Sequence, residues 1–131
     1  EKALAIEHHS KVGISFFWPI LERQVIIKGE VLKLAAEASD SYFKSRPKGS
    51  QIGAIVSDQS KVITDRSIIE AKLEALEVEY ANKNIERPDH WGGYLVKPMS
   101  IEFWQGRPNR LHDRIRCQLH GEFWNIERLA P

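Results

Sequence analysis

Residues 11–18, "KVGISFFW", are rich in β-branched and aromatic side chains and are cut off by Pro19, which predicts a strand ending in a turn. From Glu22 to Leu34 the chain alternates. Arg23, Val25, Ile27, Gly29 and Val31 fall on one side, and Gln24, Ile26, Lys28, Glu30 and Leu32 on the other. The first set is mostly apolar, so one face should meet a core while the other, carrying Gln24 and Lys28, is open to solvent or a ligand. The period then changes. "AAEASDSYFKSRPKGS", residues 35–50, has helical character and should stop at Pro47 and Gly49, leaving Ser50 just beyond the break. The strongest helix signal runs from Ser67 to Tyr80. There Ser67 and Glu70 are spaced as a capping box, and Ile69, Leu73, Leu76 and Tyr80 form an apolar stripe that reads as core packing.

The opening "EKALAIEHHSK" reads as the last turns of a helix already under way, as if the chain were a fragment or a processed product. "ANKNIERPDHWGG", residues 81–93, is a polar connection punctuated by Pro88 and paired glycines. Three strand-like runs finish the chain, at 94–105, 111–120 and 122–130, and the pair His120-Gly121 suits a hairpin turn between the last two. Strands dominate and helices are inserted between hairpins. This predicts a mainly β, α+β architecture, an antiparallel barrel with appended helices, built as a single domain over residues 1–131.

Composition narrows the function. The chain is 42% hydrophobic and 28% charged, ordinary for a globular protein, and no run approaches the ~18 apolar residues of a membrane-spanning helix. Nineteen basic residues against eighteen acidic ones give no bulk field to gather nucleic acid, so an anion must be met by a local cluster and the ligand should be small. An oligonucleotide-binding barrel has little support, because the basic residues are focused rather than spread along a groove. Cys117 is the only cysteine, which rules out an intrachain disulfide and fits a reducing compartment, with cytoplasm the default. The five histidines do not suggest a metal site. His8 and His9 point apart on a helix, and Cys117 with His120 is half of a zinc pattern.

The run "RPNRLHDR", residues 107–114, concentrates three arginines and a histidine. If residues 110–116 are extended, Arg110, His112, Arg114 and Arg116 project from one side, about 6 to 7 Å apart, with Leu111, Asp113 and Ile115 on the other. Unpaired guanidinium groups on one face would repel, and an anionic ligand would relieve this. Phosphate suits their fork of donors, and the imidazole can exchange a proton near neutral pH. The competing reading is a solvated edge strand whose charges guard against aggregation. Tyr42 and Arg46, four apart on one helix face, make a second candidate anion site with Ser50, against which Tyr42 as core and Arg46 as a helix cap are the bland alternatives. "SDQS", residues 57–60, is a polar loop able to hold a ligand or only water. Trp18, Trp91, Trp104 and Trp124 read as core or interface residues.

Taken together, "LERQV" at 21–25, "YFKSRPKGSQIGA" at 42–54, "SDQS" at 57–60, "WGGY" at 91–94, "IEFWQGRPNRLHDR" at 101–114 and the terminal "IERLAP" resemble the pyridoxamine 5'-phosphate oxidases of vitamin B6 metabolism. The motifs occur in family order over essentially the whole chain, and the long, chemically unusual 101–114 signature tips the balance toward a ligand site. The resemblance implies an FMN-binding split barrel, a homodimer with FMN at the subunit interface. It also implies oxidation of pyridoxamine or pyridoxine 5'-phosphate to pyridoxal 5'-phosphate, with O2 as acceptor and H2O2 as product. A non-catalytic flavin or pyridoxal-phosphate binder of the same fold is the alternative.

By the same resemblance Lys2, Gln24, Gln59, Ser60, Trp104 and Arg114 match positions that contact FMN, and Tyr42, Arg46 and Ser50 match the substrate-phosphate site. Arg110, Leu111 and His112 match substrate-binding positions. Arg110 and His112 are the implied catalytic pair, Arg110 orienting the ring and assisting loss of the C4' proton or hydride, His112 binding or polarising a ring substituent. Two departures stand out. Glu1 occupies a place that is usually basic, and the family's earlier "RVVLLK"-like and "YT" strands, which serve the flavin phosphate and the substrate, do not occur in these residues. The barrel is therefore expected to be incomplete at its N-terminus.

Overall fold

The computed structural model describes residues 2–131. Glu1, the residue beside Lys2 noted above, lies outside the described residues. The chain divides into two units, Glu1–Leu32 with Leu95–Pro131, and Lys33–Tyr94.

The first unit holds helix α1 (Lys2–His8) and the five-stranded sheet β1 (Lys11–Trp18), β2 (Arg23–Lys33), β3 (Tyr94–Gln105), β4 (Asp113–His120) and β5 (Phe123–Leu129), ordered β1-β2-β3-β4-β5. β1 pairs antiparallel with β2 from Lys11↔Glu30 to Trp18↔Arg23, and the two are joined through a 3-10 turn at Pro19–Leu21. Proline opens that turn and Glu22 closes it in the left-handed region, at φ 48°. β3 pairs antiparallel with β4, and β4 with β5. The last hairpin turns on Gly121 and Glu122. Gly121, at φ 62°, fills the first central position, which a type II′ turn reserves for glycine, so the turn lies one residue later than His120-Gly121 suggested.

Three observations fix how β2 meets β3. Gly106 N donates to Glu22 O (2.7 Å), Arg23 Nε donates to Gln105 Oε1 (2.7 Å), and a Cβ on Gly29 would overlap the Lys97 carbonyl oxygen. As β2 advances β3 recedes, so the neighbours are antiparallel and Gln24 lies level with Trp104. The alternation expected along β2 appears where it is tightest, with Gly29 and Val31 buried between exposed Lys28, Glu30 and Leu32.

The second unit is helical: α2 (Ala36–Ser45), α3 (Lys48–Val56) and α4 (Ser67–Glu79). Phe43, fully buried, joins Ile52, Val56 and Ile85 in a core against which Leu73, Leu76, Tyr80 and Trp91 pack. The stripe on α4 is core-facing as expected, although Ile69 at its start stays 37% exposed.

Two local expectations are corrected. Pro47 does not lead into a loop. It is the N-cap of α3, and its carbonyl accepts from Ser50 N and Gln51 N, so Gly49 and Ser50 lie inside a helix. A proline has no N–H to lose at a helix start, which is why the same residue that ends α2 can begin α3. The Ser67–Glu70 capping box does not form. Asp65 Oδ1 accepts from Ser67 N (2.7 Å) and Glu70 pairs with Arg66 instead. No helix among the described residues is long and apolar enough to cross a membrane.

Candidate functional site

Gln105 and Asp113 face each other as the last pair of the β3–β4 ladder, so residues 106–112 form a loop closed at its base. Within it Pro108–Arg110 make a 3-10 turn with Asn109 at φ 59° and Arg110 at φ 62°. The extended run expected over 110–116 therefore begins only at Asp113. Two consecutive left-handed residues turn the chain, and Arg110 and His112 do not continue the strand alternation of Arg114 and Arg116. Positive φ is costly for a non-glycine residue and recurs at functional loops.

The arginines on the strand are already paired. Arg114 Nε donates to Glu102 Oε1 (2.7 Å) and its NH1 to Ala130 O (3.1 Å), while Arg116 binds Glu127 Oε2 (2.6 Å). Asp113 takes Arg107 on Oδ2 (2.7 Å) and Arg128 on Oδ1 (2.8 Å). The expected mutual repulsion is thus relieved by carboxylates of the same chain. The Arg107 hydrogen bond, followed by that of Arg128, holds the Asp113 carboxyl below its ordinary range, and Arg116 does the same to Glu127. Glu102 drives Arg114 further toward its charged form. Among the described residues Arg110 has no ion-pair partner, and it is exposed.

What the sheet does bring together is a row. Trp104 on β3 faces Arg114 on β4, and Gln24 on β2 is level with Trp104, so three neighbouring strands present an amide, an indole and a guanidinium side by side. Gln24 Nε2 donates to Ser15 Oγ (3.1 Å), leaving its carbonyl oxygen as an acceptor. His112 joins the row from the loop, its ring 4.8 Å from that of Trp104. Its Nδ1 accepts from Arg107 N (3.2 Å), which assigns the proton of the neutral ring to Nε2. Two residues further along β3 and β4, Glu102 and Arg116 face each other at the edge of a cavity of about 540 Å³ that is also lined by Lys11, Lys28, Ser100 and Gln118. Leu111 is exposed beside Arg110, and Lys2 is exposed at the first position of α1.

In the second unit Trp91 is a platform. Tyr42 stacks on it (6.0 Å, 21° between planes), Phe43 meets it edge-on (5.1 Å), and the Arg46 guanidinium carbon lies 5.1 Å from its centroid. Tyr42 is 64% exposed, so it is not a core residue. Arg46 closes α2 in an extended conformation and stands one residue ahead of the α3 N-cap. Its NH1 is buried and has no hydrogen-bond partner among the described residues. An unpaired buried guanidinium nitrogen is expensive and calls for an acceptor. With Ser50 on the first turn of α3, whose free N–H groups carry partial positive charge, the donor set matches a phosphate.

Gln59 and Ser60 form a tight exposed turn, Ser60 at φ 66°, closed by Lys61 N donating to Asp58 O. Arg87 was not anticipated. It pairs with Asp40 and donates to the carbonyls of Pro88 and Trp91, tying the tryptophan loop to α2. Of the four tryptophans none is buried, and Trp18 and Trp124 are 45% and 42% exposed. The indoles of Trp91 and Trp104 bear on candidate residues instead. The aromatic in "HWGGY" next to paired glycines was the available signal for the first.

An antiparallel five-stranded sheet with a helical unit inserted between β2 and β3 is a fold with solved relatives. The structure of PhzG from Burkholderia lata 383, in complex with tetrahydrophenazine-1-carboxylic acid, is similar with a TM-score of 0.88 at 24% identity, over 100% of this chain and 64% of that one. A pyridoxamine 5'-phosphate oxidase-related, FMN binding protein from Nostoc punctiforme matches with a TM-score of 0.72 at 13% identity, over 99% and 68%. These likenesses establish the split-barrel fold.

In sequence, residues 1–80 match the family described as pyridoxamine 5'-phosphate oxidase, and residues 91–131 match the pyridoxine 5'-phosphate oxidase C-terminal dimerisation region. The chain belongs to the pyridoxamine 5'-phosphate oxidase family. A pyridoxine/pyridoxamine 5'-phosphate oxidase of Flavobacterium psychrophilum is 59% identical over the whole of this chain and 62% of its own length. One of Legionella pneumophila (strain Paris) is 50% identical over 99% of this chain and 60% of its own. The chain thus spans about three fifths of the length of the curated relatives it matches.

Proposed function

We propose that the protein acts as an FMN-dependent oxidase that converts pyridoxamine 5'-phosphate or pyridoxine 5'-phosphate to pyridoxal 5'-phosphate, with O2 as acceptor and H2O2 as product. The observation that carries the reading is the buried, unpartnered NH1 of Arg46 beside the α3 N-terminus and the Trp91 face, a donor set made for a phosphate on an aromatic body. Family membership supports the rest.

The residues present fit a flavin. Gln24 offers a free carbonyl oxygen, Trp104 a flat apolar surface, and Arg114 a charge whose position Glu102 fixes in advance. Lys2, Gln59 and Ser60 are the further FMN ligands in this reading. FMN, when bound, supplies the two-electron acceptor that no side chain provides. Tyr42, Arg46 and Ser50 hold the substrate phosphate, and Arg110, Leu111 and His112 hold its ring. Arg110, without an ion-pair partner among the described residues, is free to turn its charge to the substrate and assist loss of hydrogen from C4'. His112 donates through Nε2–H to a ring substituent, because Nδ1 is engaged by Arg107 N.

Two copies are proposed to pair through the 91–131 region, where Phe123 and Ile126 of β5 are 80% and 69% exposed. The single cysteine agrees with work in the reducing cytoplasm. The protein loaded with FMN should be yellow and should release peroxide when given pyridoxine 5'-phosphate. A protein that binds FMN and pyridoxal 5'-phosphate yet releases no peroxide would be a binder of the same fold. One that takes up neither ligand would overturn the reading.

A further inference from the structure

We infer that Asp113 is a positioning residue for His112, acting through Arg107, and so sets the orientation of the imidazole on which the reaction depends. The inference rests on the proposed function for its catalytic consequence, and on geometry alone for its structural one.

Asp113 is the first residue of β4 and closes the base of the 106–112 loop opposite Gln105. Its two oxygens are spent on different partners. Oδ2 holds Arg107 Nε at 2.7 Å, the second residue of the loop, and Oδ1 holds Arg128 NH1 at 2.8 Å, near the end of β5. Arg107 in turn turns its backbone N–H to His112 Nδ1 at 3.2 Å. A carboxylate on the strand therefore pins the side chain of the residue whose main chain selects the tautomer and ring plane of His112. The ring leans on Trp104 from the other side.

The loop cannot hold this geometry through its own backbone alone. Its internal main-chain bonding is a long Leu111 N to Pro108 O contact of 3.3 Å, and both Asn109 and Arg110 are in the left-handed region. A loop with so little internal bonding needs an external fixture to hold a catalytic ring within a few tenths of an ångström, and misplacement on the ångström scale costs on the order of 100-fold in rate. The Arg128 bond has a different consequence, since it ties β4 to β5 and reaches nothing in the loop.

The test compares Asp113→Asn, Arg107→Ala and Arg128→Ala in the FMN-loaded protein. Nitrogen-15 NMR of the His112 ring reads out the Nδ1-acceptor tautomer directly, independent of any turnover. Asp113→Asn and Arg107→Ala should each change the His112 ring-nitrogen signals and lower kcat on the order of tenfold, with KM raised by no more than that factor and FMN affinity changed less than about twofold. Their combination should be no worse than either alone, because both cut one chain of contacts. Arg128→Ala should leave the His112 signals in place, and Asp113→Glu should recover part of kcat.

Unchanged His112 signals in a folded Asp113→Asn protein would overturn the inference, as would an Arg128→Ala change of equal size, which would mean a general staple. If wild-type protein shows no oxidase activity, the functional reading fails while the NMR comparison still decides the role of Asp113. Should Asp113→Asn fail to fold, Arg107→Ala carries the same decision.

Discussion

Arg46 and Arg114 each stand beside a tryptophan, Trp91 for the one and Trp104 for the other, and they differ in what the chain has already given them. Arg114 has Glu102 on Nε and the Ala130 carbonyl on NH1, and its neighbours Arg107, Arg116 and Arg128 are also bound to carboxylates. Arg46 has an indole under its guanidinium and a buried NH1 with no acceptor among the described residues. The difference teaches that density of positive charge along a sequence does not by itself mark an anion site. The arginine-rich strand is a preorganised wall whose charges are largely balanced, whereas the sparser Arg46 cluster keeps an unmet demand for an acceptor.

The largest expected effect is at Arg110, which alone of the arginines in the 107–114 run has no ion-pair partner among the described residues. Arg110→Ala should lower kcat by roughly 100- to 10,000-fold, the range of a lost acid–base or orienting group, while FMN affinity stays near wild type. Stopped-flow reduction of the flavin, set beside a flavin titration, measures both. Next comes Arg46→Ala, expected to weaken binding of the phosphorylated substrate by about 2 to 4 kcal/mol, roughly 30- to 900-fold in KM, with kcat little changed. Thermal stability of this variant should fall only by the lost Trp91 contact, about 0.5 to 2 kcal/mol, since no hydrogen bond of NH1 is lost.

Arg114→Ala is expected to act in the opposite sense on the two readouts. It strands the Glu102 carboxylate and should weaken FMN first, by about tenfold, with turnover at saturating flavin reduced less. Equal losses of flavin affinity and turnover in Arg110→Ala and Arg114→Ala would erase the distinction between a balanced wall and a free catalytic charge.

The smallest effect is on acid stability. Arg107 and Arg128 depress Asp113, and Arg116 depresses Glu127, so the folded state favours both ionised carboxylates. Their contribution is in full above the ordinary carboxylate range, about pH 4 to 5, and fades as pH falls through the depressed folded values. Thermal melts should therefore be flat down to about pH 5 and drop below about pH 4, with a shallower drop in Asp113→Asn.

Much of the sheet was legible. β1 and β3 coincide with the runs at 11–18 and 94–105, because β-branched and aromatic residues bounded by Pro19 or by the Gly92-Gly93 pair leave few other options. The helix after Pro47 was not legible, because a proline that stops one helix looks the same as one that starts the next. Within the site, Gln24, Trp104 and Arg114 emerged as a row only when strand register was known, since the three are far apart in sequence. The pairing of Arg114 with Glu102 and of Arg116 with Glu127 was hidden for the same reason. Asn109 carried a readable hint, because asparagine after proline tolerates the left-handed region, and that hint argued against an extended 110–112. Nothing in the sequence signals that Arg46 would keep a buried, unmet donor.

That unmet donor can be put to one direct measurement, the affinity of the FMN-loaded protein for pyridoxine 5'-phosphate and for unphosphorylated pyridoxine, in wild type and in Arg46→Ala. Wild type should prefer the phosphorylated form strongly, and the variant should lose most of that preference while binding pyridoxine as before. A variant that still prefers the phosphate ester as strongly as wild type would contradict the account.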